Sequence, residues 1–223
     1  MRDLCIDTST GASVAVVDDT GTYSARETDT RAHAERLNML VQEVLLDAGK
    51  PSRATDANLD QVIVGTGPAT FTGLRAGLVT ARVIAHACGI PVRGVSSLDI
   101  LARYYLDETA RDGEIVVVTD ARRQEVYWAH YRAAGPDDVE CMTGPEVATA
   151  DAVANRFIDS SVTFAGPGCA LYPDALPTPM PVVPVHADIA SRIVRARIAA
   201  GITDFPTEPL YLRRPDIHPG KAR

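Results

Sequence analysis

The chain has 223 residues, an apolar content of 46% and a formal net charge of −7 at pH 7. This length and composition predict a globular protein of one large or two small domains. The acidic balance argues against a principal nucleic-acid binder, because phosphate neutralisation requires clustered Lys and Arg, so we expect any RNA contact to be minor or indirect.

Cysteine spacing and the N-terminus indicate the compartment. The four cysteines form no Cys-x-x-Cys pair and no zinc spacing, and their apolar or small neighbours favour buried free thiols in a reducing compartment; they are Cys5, Cys88, Cys141 and Cys169. Strand-like residues begin almost at once, which leaves no room for a secretory signal. We therefore expect a cytoplasmic protein.

In chain order, the first half predicts three strands, then helices alternating with strands. The strands are expected at 4–7, 12–17, 23–28, 61–64 and 91–95, and the helices at 34–48, 72–88 and 97–106. The first helix has one apolar face, formed by Leu37, Leu40, Val41, Val44, Leu45 and Ala48. Met39 and Leu46 interrupt its otherwise polar side.

The glycine-rich segment before the second helix matches neither common phosphate-binding motif. Gly67 and Gly73 are one residue too far apart for a P-loop, and no Lys-Ser/Thr pair follows them. The dinucleotide pattern fails because Thr70 stands where the third glycine belongs. We therefore expect no nucleotide cofactor at this loop.

The second helix is apolar on two sides. One side is a ridge of small residues, Gly73, Gly77, Ala81 and Ala85, and the other consists of Ala76, Val79, Val83 and Ala87. A narrow polar stripe of Arg75, Arg82 and His86 lies between them. Such a helix should be covered on two sides, either inside its own domain or at a subunit interface, and the pattern leaves both open. Two arginines make a membrane span improbable.

The second half repeats the first in outline. Strands at 115–120 and 126–131, joined by a polar turn, match the first hairpin, so that Asp120 corresponds to Asp7. A shorter helix at 151–158, a strand at 162–165, a helix at 188–200 and a proline-punctuated tail follow. Two similar α/β halves predict the actin-like ATPase (ribonuclease H-like) fold, with subdomains at 1–106 and 107–223 and the last helix and tail packing back on the first.

Several segments resemble a known family. They are "IDTSTGASVAVV" (6–17), "HAERL" (33–37), "VGTGPATFTGLRAGLVTARVIA" (64–85), "DARRQEVYWAHY" (120–131) and "EPLYLR" (208–213). Together they resemble the TsaB family of bacterial tRNA threonylcarbamoyladenosine biosynthesis proteins, also called YeaZ or glycoprotease-like (M22-like). The Gly-Pro-x-x-Phe-Thr-Gly-Leu-Arg segment is the most specific part of the match, which runs nearly end to end.

The resemblance implies a non-catalytic subunit that binds and activates the catalytic subunit TsaD, with the ATPase TsaE in a ternary complex. We also predict that the isolated chain forms a homodimer through the same surface, because a two-fold homodimer is the default when no partner is available. We predict that this partner interface combines the exposed residues of the first two helices, namely Met39, Leu46, Arg75, Ala76, Val79, Arg82, Val83 and His86.

The residues themselves offer little for catalysis. Ser97 and Leu101 align with the paired metal-binding histidines of the related catalytic subunit, and leucine cannot bind a metal. His33, His86, His130, His186 and His218 are scattered, so no metal, cofactor or catalytic residue is predicted. An ATPase or small-molecule kinase that uses Asp7 and Asp120 is the alternative, although both fit turn-capping roles better. A His33–Glu35 pair and a protease activity are weaker possibilities.

Overall fold

The computed structural model describes residues 1–27, 33–109 and 113–213 of the chain. Within these ranges, no helix is long and apolar enough to cross a membrane. The predicted strand end at Thr28 and the whole of His218 lie outside the described residues, and nothing is described of the His33 and Glu35 side chains.

The first half contains a five-stranded mixed sheet. Its strands are β1 (Asp3–Asp7), β2 (Ala12–Asp18), β3 (Gly21–Glu27), β4 (Gln61–Gly65) and β5 (Val92–Val95), in the order β3-β2-β1-β4-β5. β1 pairs antiparallel with β2 and parallel with β4, so that Cys5 stands between Ala15 and Ile63. All five residues of β1 and of β4 are buried, as expected for central strands covered on both faces.

Three helices accompany this sheet. They are α1 (His33–Asp47), α2 (Phe71–Cys88) and α3 (Ser97–Glu108), with a short 3-10 helix at Ala54–Asp56. The predicted apolar face of α1 is wholly buried, from Leu37 to Ala48. α2 ends at Gly89, which adopts the left-handed conformation (φ 66°) that a helix C-terminus favours and that glycine enters without strain.

The second half repeats the strand arrangement. β6 (Ile115–Asp120), β7 (Glu125–Ala134), β8 (Asp138–Thr149) and β9 (Thr163–Ala165) form a sheet in the order β8-β7-β6-β9. β6 pairs antiparallel with β7 and parallel with β9, as β1 does with β2 and β4. This repeated topology confirms the predicted actin-like fold class. The exact subdomain boundary at residue 106 stays a prediction.

The sequence reading missed two elements of this half. β8 has 12 residues, but Gly144 and Pro145 lie within it and read as turn signals. A helix of five residues, α5 (Pro167–Leu171), is too short to show helical periodicity. α4 (Ala150–Arg156) has 7 residues against 15 in α1, so the predicted shortening is confirmed.

The last helix, α6 (Ile189–Ala199), contacts the first sheet. Asp3 is fully buried at this contact and accepts hydrogen bonds from Ser191 Oγ (2.6 Å) and Arg195 Nε (2.7 Å). Gln61 Nε2 donates to the other carboxylate oxygen of Asp3 at 2.8 Å. The three hydrogen-bond donors compensate the desolvation of the buried Asp3 carboxylate. This cluster therefore holds α6 against β1.

The cysteine prediction is partly wrong. Cys5 and Cys169 are buried as expected, but Cys88 is only half-buried and Cys141 is exposed. Cys141 lies on β8, and the error follows from the failure to recognise that strand. Glu140, Cys141 and Met142 are all exposed in this strand.

Candidate functional site

The small-residue ridge of α2 packs against the β1–β2 turn. Gly77 is buried, and a Cβ atom there would lie 2.4 Å from Thr8 Oγ1. Thr8 Oγ1 also donates a hydrogen bond of 2.8 Å to the carbonyl oxygen of Gly73. The glycines therefore allow the helix to approach this turn, and the buried face of α2 consists of Leu74, Gly77, Leu78, Ala81 and Ala85.

The second apolar side of α2 faces outward. Val79 and Val83 are 59% and 60% exposed, and the neighbouring helix α1 exposes Met39 and Leu46 at 60% each. α1 and α2 contact each other, so two adjacent helices each present a pair of apolar side chains. We call the surface defined by these four residues the α1–α2 face. Within the described ranges, the reading of α2 as a helix covered on both sides by its own domain is therefore wrong.

The polar stripe of α2 is bound by the chain's own C-terminal strap, which we define as residues 205–213. Arg75 Nε donates to Tyr211 Oη at 2.8 Å, and its guanidinium lies 3.4 Å from the centroid of the Phe71 ring. Arg82 Nη2 donates to the Thr207 carbonyl oxygen at 2.7 Å. The sequence reading missed the strap because extended, proline-rich segments have no hydrophobic period.

The remaining predicted interface residues differ in exposure. His86 is exposed, whereas Ala76 is half-buried and lines a cavity at the start of α2. Of the eight predicted residues, Met39, Leu46, Val79, Val83 and His86 are exposed, whereas Arg75 and Arg82 are hydrogen-bonded to the strap. Their assignment to an interface stays a prediction.

Asp7 is sealed inside the protein. The carboxylate is fully buried and accepts hydrogen bonds from Ser9 N (2.7 Å), Ser9 Oγ (2.6 Å) and Ser97 Oγ (2.5 Å). Burial raises the pKa of this carboxyl above its ordinary value, although the hydrogen bonds from Ser9 and Ser97 oppose that rise. A Cβ on Gly65 would stand 1.8 Å from Asp7 Oδ2, so that side is closed as well.

Asp120 occupies the corresponding turn of the second half. It accepts a hydrogen bond from Arg122 N at 2.7 Å and pairs with the Arg122 guanidinium at 3.1 Å. Arg122, Arg123 and Gln124 all have positive φ (64°, 55° and 63°), which makes this a tight left-handed turn. Each aspartate thus accepts a hydrogen bond from the backbone N–H two residues later, Ser9 N for Asp7 and Arg122 N for Asp120, which is the turn-capping role that the sequence favoured.

A cavity of about 370 Å³ lies between the halves. Its lining is rich in hydroxyl groups, with one carboxylate, Asp120, and one guanidinium, Arg122. Asp7 is not among the lining residues. The two aspartates that an actin-like kinase would use for magnesium and phosphate therefore do not face one shared space.

Comparison with known proteins identifies the family. The family described as "TsaD: tRNA N6-adenosine threonylcarbamoyltransferase" matches residues 26–204. An uncharacterized Mycobacterium tuberculosis (strain ATCC 25618 / H37Rv) protein is 41% identical over 97% of this chain and 93% of its own length. The structure of YeaZ from Pseudomonas aeruginosa superposes with a TM-score of 0.78 at 28% identity, covering 95% of this chain and 99% of that one. The Escherichia coli (strain K12) protein TsaB is 38% identical over 59% of this chain and 55% of its own length.

This chain belongs to the TsaB (YeaZ) family.

In this TsaB-family chain, the positions aligned with a metal pair have other roles. Leu101 is 1% exposed and packs in the core. The Ser97 hydroxyl donates a hydrogen bond to Asp7 and accepts one from Gly67 N at 3.1 Å. Among residues 1–27, 33–109 and 113–213, no three His, Cys, Asp or Glu side chains are grouped as metal ligands.

Of the three histidines whose side chains the structure describes, His86 is exposed, and His130 and His186 each contact neighbouring side chains. His130 Nε2 lies 2.8 Å from Glu114 Oε2, and the His186 ring contacts Tyr104 in a tilted arrangement with centroids 4.5 Å apart. Burial, assisted by the positive charge of Arg26, lowers the pKa of His186. Neither His130 nor His186 is among the residues that line the cavity.

Proposed function

We propose that this chain is a non-catalytic subunit of the bacterial assembly that makes N6-threonylcarbamoyladenosine in tRNA, and that it binds and activates the catalytic subunit TsaD. The name of its E. coli relative supports the pathway. The observation that carries the proposal is the α1–α2 face, where four large apolar side chains are each about 60% exposed on two touching helices. Such clusters on a soluble protein mark interaction sites.

The proposed partner has a related architecture. The family description that matches residues 26–204 of this chain is that of the transferase, which supports a common fold for the two subunits. Two related folds with exposed helices at equivalent positions can pack about a pseudo-twofold axis. When TsaD is absent, the same face would form a homodimer, so the two assemblies compete for it.

Activation follows from binding one conformation of TsaD better than another. In this role the chain holds the active arrangement and contributes no reacting group. TsaE would join the pair as a third protein, and the net charge of −7 favours a minor or indirect tRNA contact. We assign this role to the cytoplasm.

The test is association between the purified chain and TsaD from the same organism, followed by light scattering. The expected result is a heterodimer that forms as the homodimer disappears. If homodimer and heterodimer contacts persist together on one chain, the shared-surface proposal is wrong.

An ATPase or small-molecule kinase is the second candidate, and the cavity between the halves is the observation in its favour. Asp120 and several hydroxyl groups line it. The sealed position of Asp7 argues against this candidate, because it leaves one carboxylate to manage a magnesium nucleotide. ATP turnover by the isolated chain, lost in Asp120→Asn, would make it the better proposal.

A further inference from the structure

The C-terminal strap is fixed to the first sheet at the ends of β4 and β5. Leu210 N donates to the Thr66 carbonyl oxygen at 2.9 Å, and Gly94 N donates to the Phe205 carbonyl oxygen at 3.2 Å. A Cβ on Gly94 would lie 1.9 Å from the Pro206 carbonyl oxygen, so the strap requires a glycine beneath it. The strap therefore has a defined position without belonging to either sheet.

The strap runs antiparallel to α2. Its Thr207 contacts Arg82 and its Tyr211 contacts Arg75. Seven helical residues span about 10.5 Å, and four extended residues span about 13 Å, so the two lengths match. Arg75, Val79 and Arg82 share one side of the helix because they are four and three residues apart. The strap thus lies alongside the α1–α2 face for two helical turns.

Large side chains stay exposed where the strap meets α2. Phe71 is 44% exposed and Tyr211 is 41% exposed, and their rings stack with centroids 5.2 Å apart. The Arg75 guanidinium covers the Phe71 ring, and no carboxylate within the described ranges is ion-paired with it. Tyrosine and arginine are the residues that most often anchor protein interfaces. Because Tyr211 already contacts Arg75 and Phe71 in the free chain, this exposed group can bind a partner at a low ordering cost.

The far end of the strap reaches the second half. Arg213 Nη1 donates to the Ala121 carbonyl oxygen at 3.1 Å, and its guanidinium forms an ion pair with Glu125 at the start of β7. The strap is consequently held by both halves, and its position depends on how they are arranged.

We propose that the C-terminal strap is the second element of the partner-binding surface, and that TsaD buries the Phe71–Arg75–Tyr211 group together with the α1–α2 face. The inference rests on the proposed function, because it names TsaD as the occupant. Continuity along α2 supports one partner that covers both elements. In this arrangement Tyr211 contacts TsaD directly, whereas Gly94 is a positioning residue that acts through the strap.

The experiment measures TsaD binding by titration calorimetry for the wild type, three strap variants, two control variants and Val79→Glu. Tyr211→Ala removes the exposed ring, and Gly94→Ala displaces the strap at Pro206. Both are expected to weaken binding about tenfold or more, the usual effect of losing an interface anchor. Tyr211→Phe, which keeps the ring and loses only the hydroxyl bond to Arg75, should remain within about threefold of the wild type.

Two matched controls separate the strap from general damage. Ile202→Ala removes an exposed side chain (45%) just before the strap, and Gly113→Ala adds a Cβ that meets nothing within 4 Å. Both should bind TsaD as the wild type does. Thermal unfolding shows which variants stay folded, and Tyr211→Ala, at an exposed position, carries the test if Gly94→Ala does not fold. Hydrogen exchange at Leu210 N should also slow when TsaD binds.

The outcomes distinguish this inference from the proposed function. If Tyr211→Ala binds TsaD as tightly as the wild type while Val79→Glu does not bind, the strap inference is overturned and the proposed function stands. If the wild type itself fails to bind TsaD, the proposed function is wrong, and the strap inference is wrong with it.

Discussion

The substitution Val79→Glu separates the stability of the chain from its ability to bind a partner. Val79 is 59% exposed in the middle of α2, so a glutamate can remain hydrated in the free protein. Glutamate also has at least as high a helix propensity as valine. We therefore expect the free energy of unfolding of the monomer to change by less than about 0.5 kcal/mol.

The effect on binding should be much larger. Full burial of a valine side chain contributes about 1.5–3 kcal/mol, and since 59% of Val79 is still available for burial, about 1–2 kcal/mol comes from the partner. An uncompensated buried charge adds about 3–5 kcal/mol of penalty. Together these terms predict a loss of affinity for TsaD of more than about a hundredfold.

The assay is titration calorimetry with TsaD, accompanied by thermal unfolding of the free chain. Val182→Glu is the matched control, because Val182 is 47% exposed and lies outside α1, α2 and the strap. It should bind normally. A folded Val79→Glu variant that binds TsaD within a few-fold of the wild type would refute the reasoning.

Three further predictions concern the face and the buried carboxylate. Met39→Ala should weaken homodimerisation without lowering the stability of the monomer, because its side chain is 60% exposed in the single chain; sedimentation measures the dimer, and an unchanged dimer contradicts the prediction. Gly65→Ala should destabilise the fold by about 1–3 kcal/mol, since its Cβ would overlap Asp7, whereas Gly113→Ala should not. Burial raises the folded-state pKa of Asp7 above its unfolded-state value. The stability of the wild type relative to Asp7→Asn should therefore be highest below the unfolded-state pKa. It should fall as the pH rises through the raised folded-state pKa. Denaturant unfolding across that range checks the sign, and a difference that grows with pH would be contrary to it.

The periodic parts of the fold could be predicted from the sequence. The i, i+3, i+4 pattern of α1 identified its buried face, and the two apolar sides of α2 were read correctly as two distinct surfaces. The pattern could not decide whether Val79 was covered, because covering depends on tertiary packing and not on the order of residues along one helix.

Other features depend on contacts between distant residues. The burial of Asp7 requires Ser97, which is 90 residues away, and the binding of Arg75 by the strap requires Tyr211, which is 136 residues away. Neither pairing leaves a local signal in the sequence. β8 was missed for the opposite reason, because Gly144 and Pro145 give a local turn signal, whereas β8 pairs with β7 on both sides of them across a register shift.

The central claim is that the chain supports tRNA modification without reacting groups of its own. The most direct measurement is the rate of threonylcarbamoyladenosine formation on tRNA, reconstituted with TsaD, TsaE and either wild-type or variant chain. We expect Asp7→Ala and Asp120→Ala to stay within a few-fold of the wild type if folded, and the double variant Met39→Glu/Val79→Glu to abolish formation. A large loss of rate in Asp7→Ala, with binding to TsaD intact, would contradict the central claim and show that the chain takes part in the chemistry.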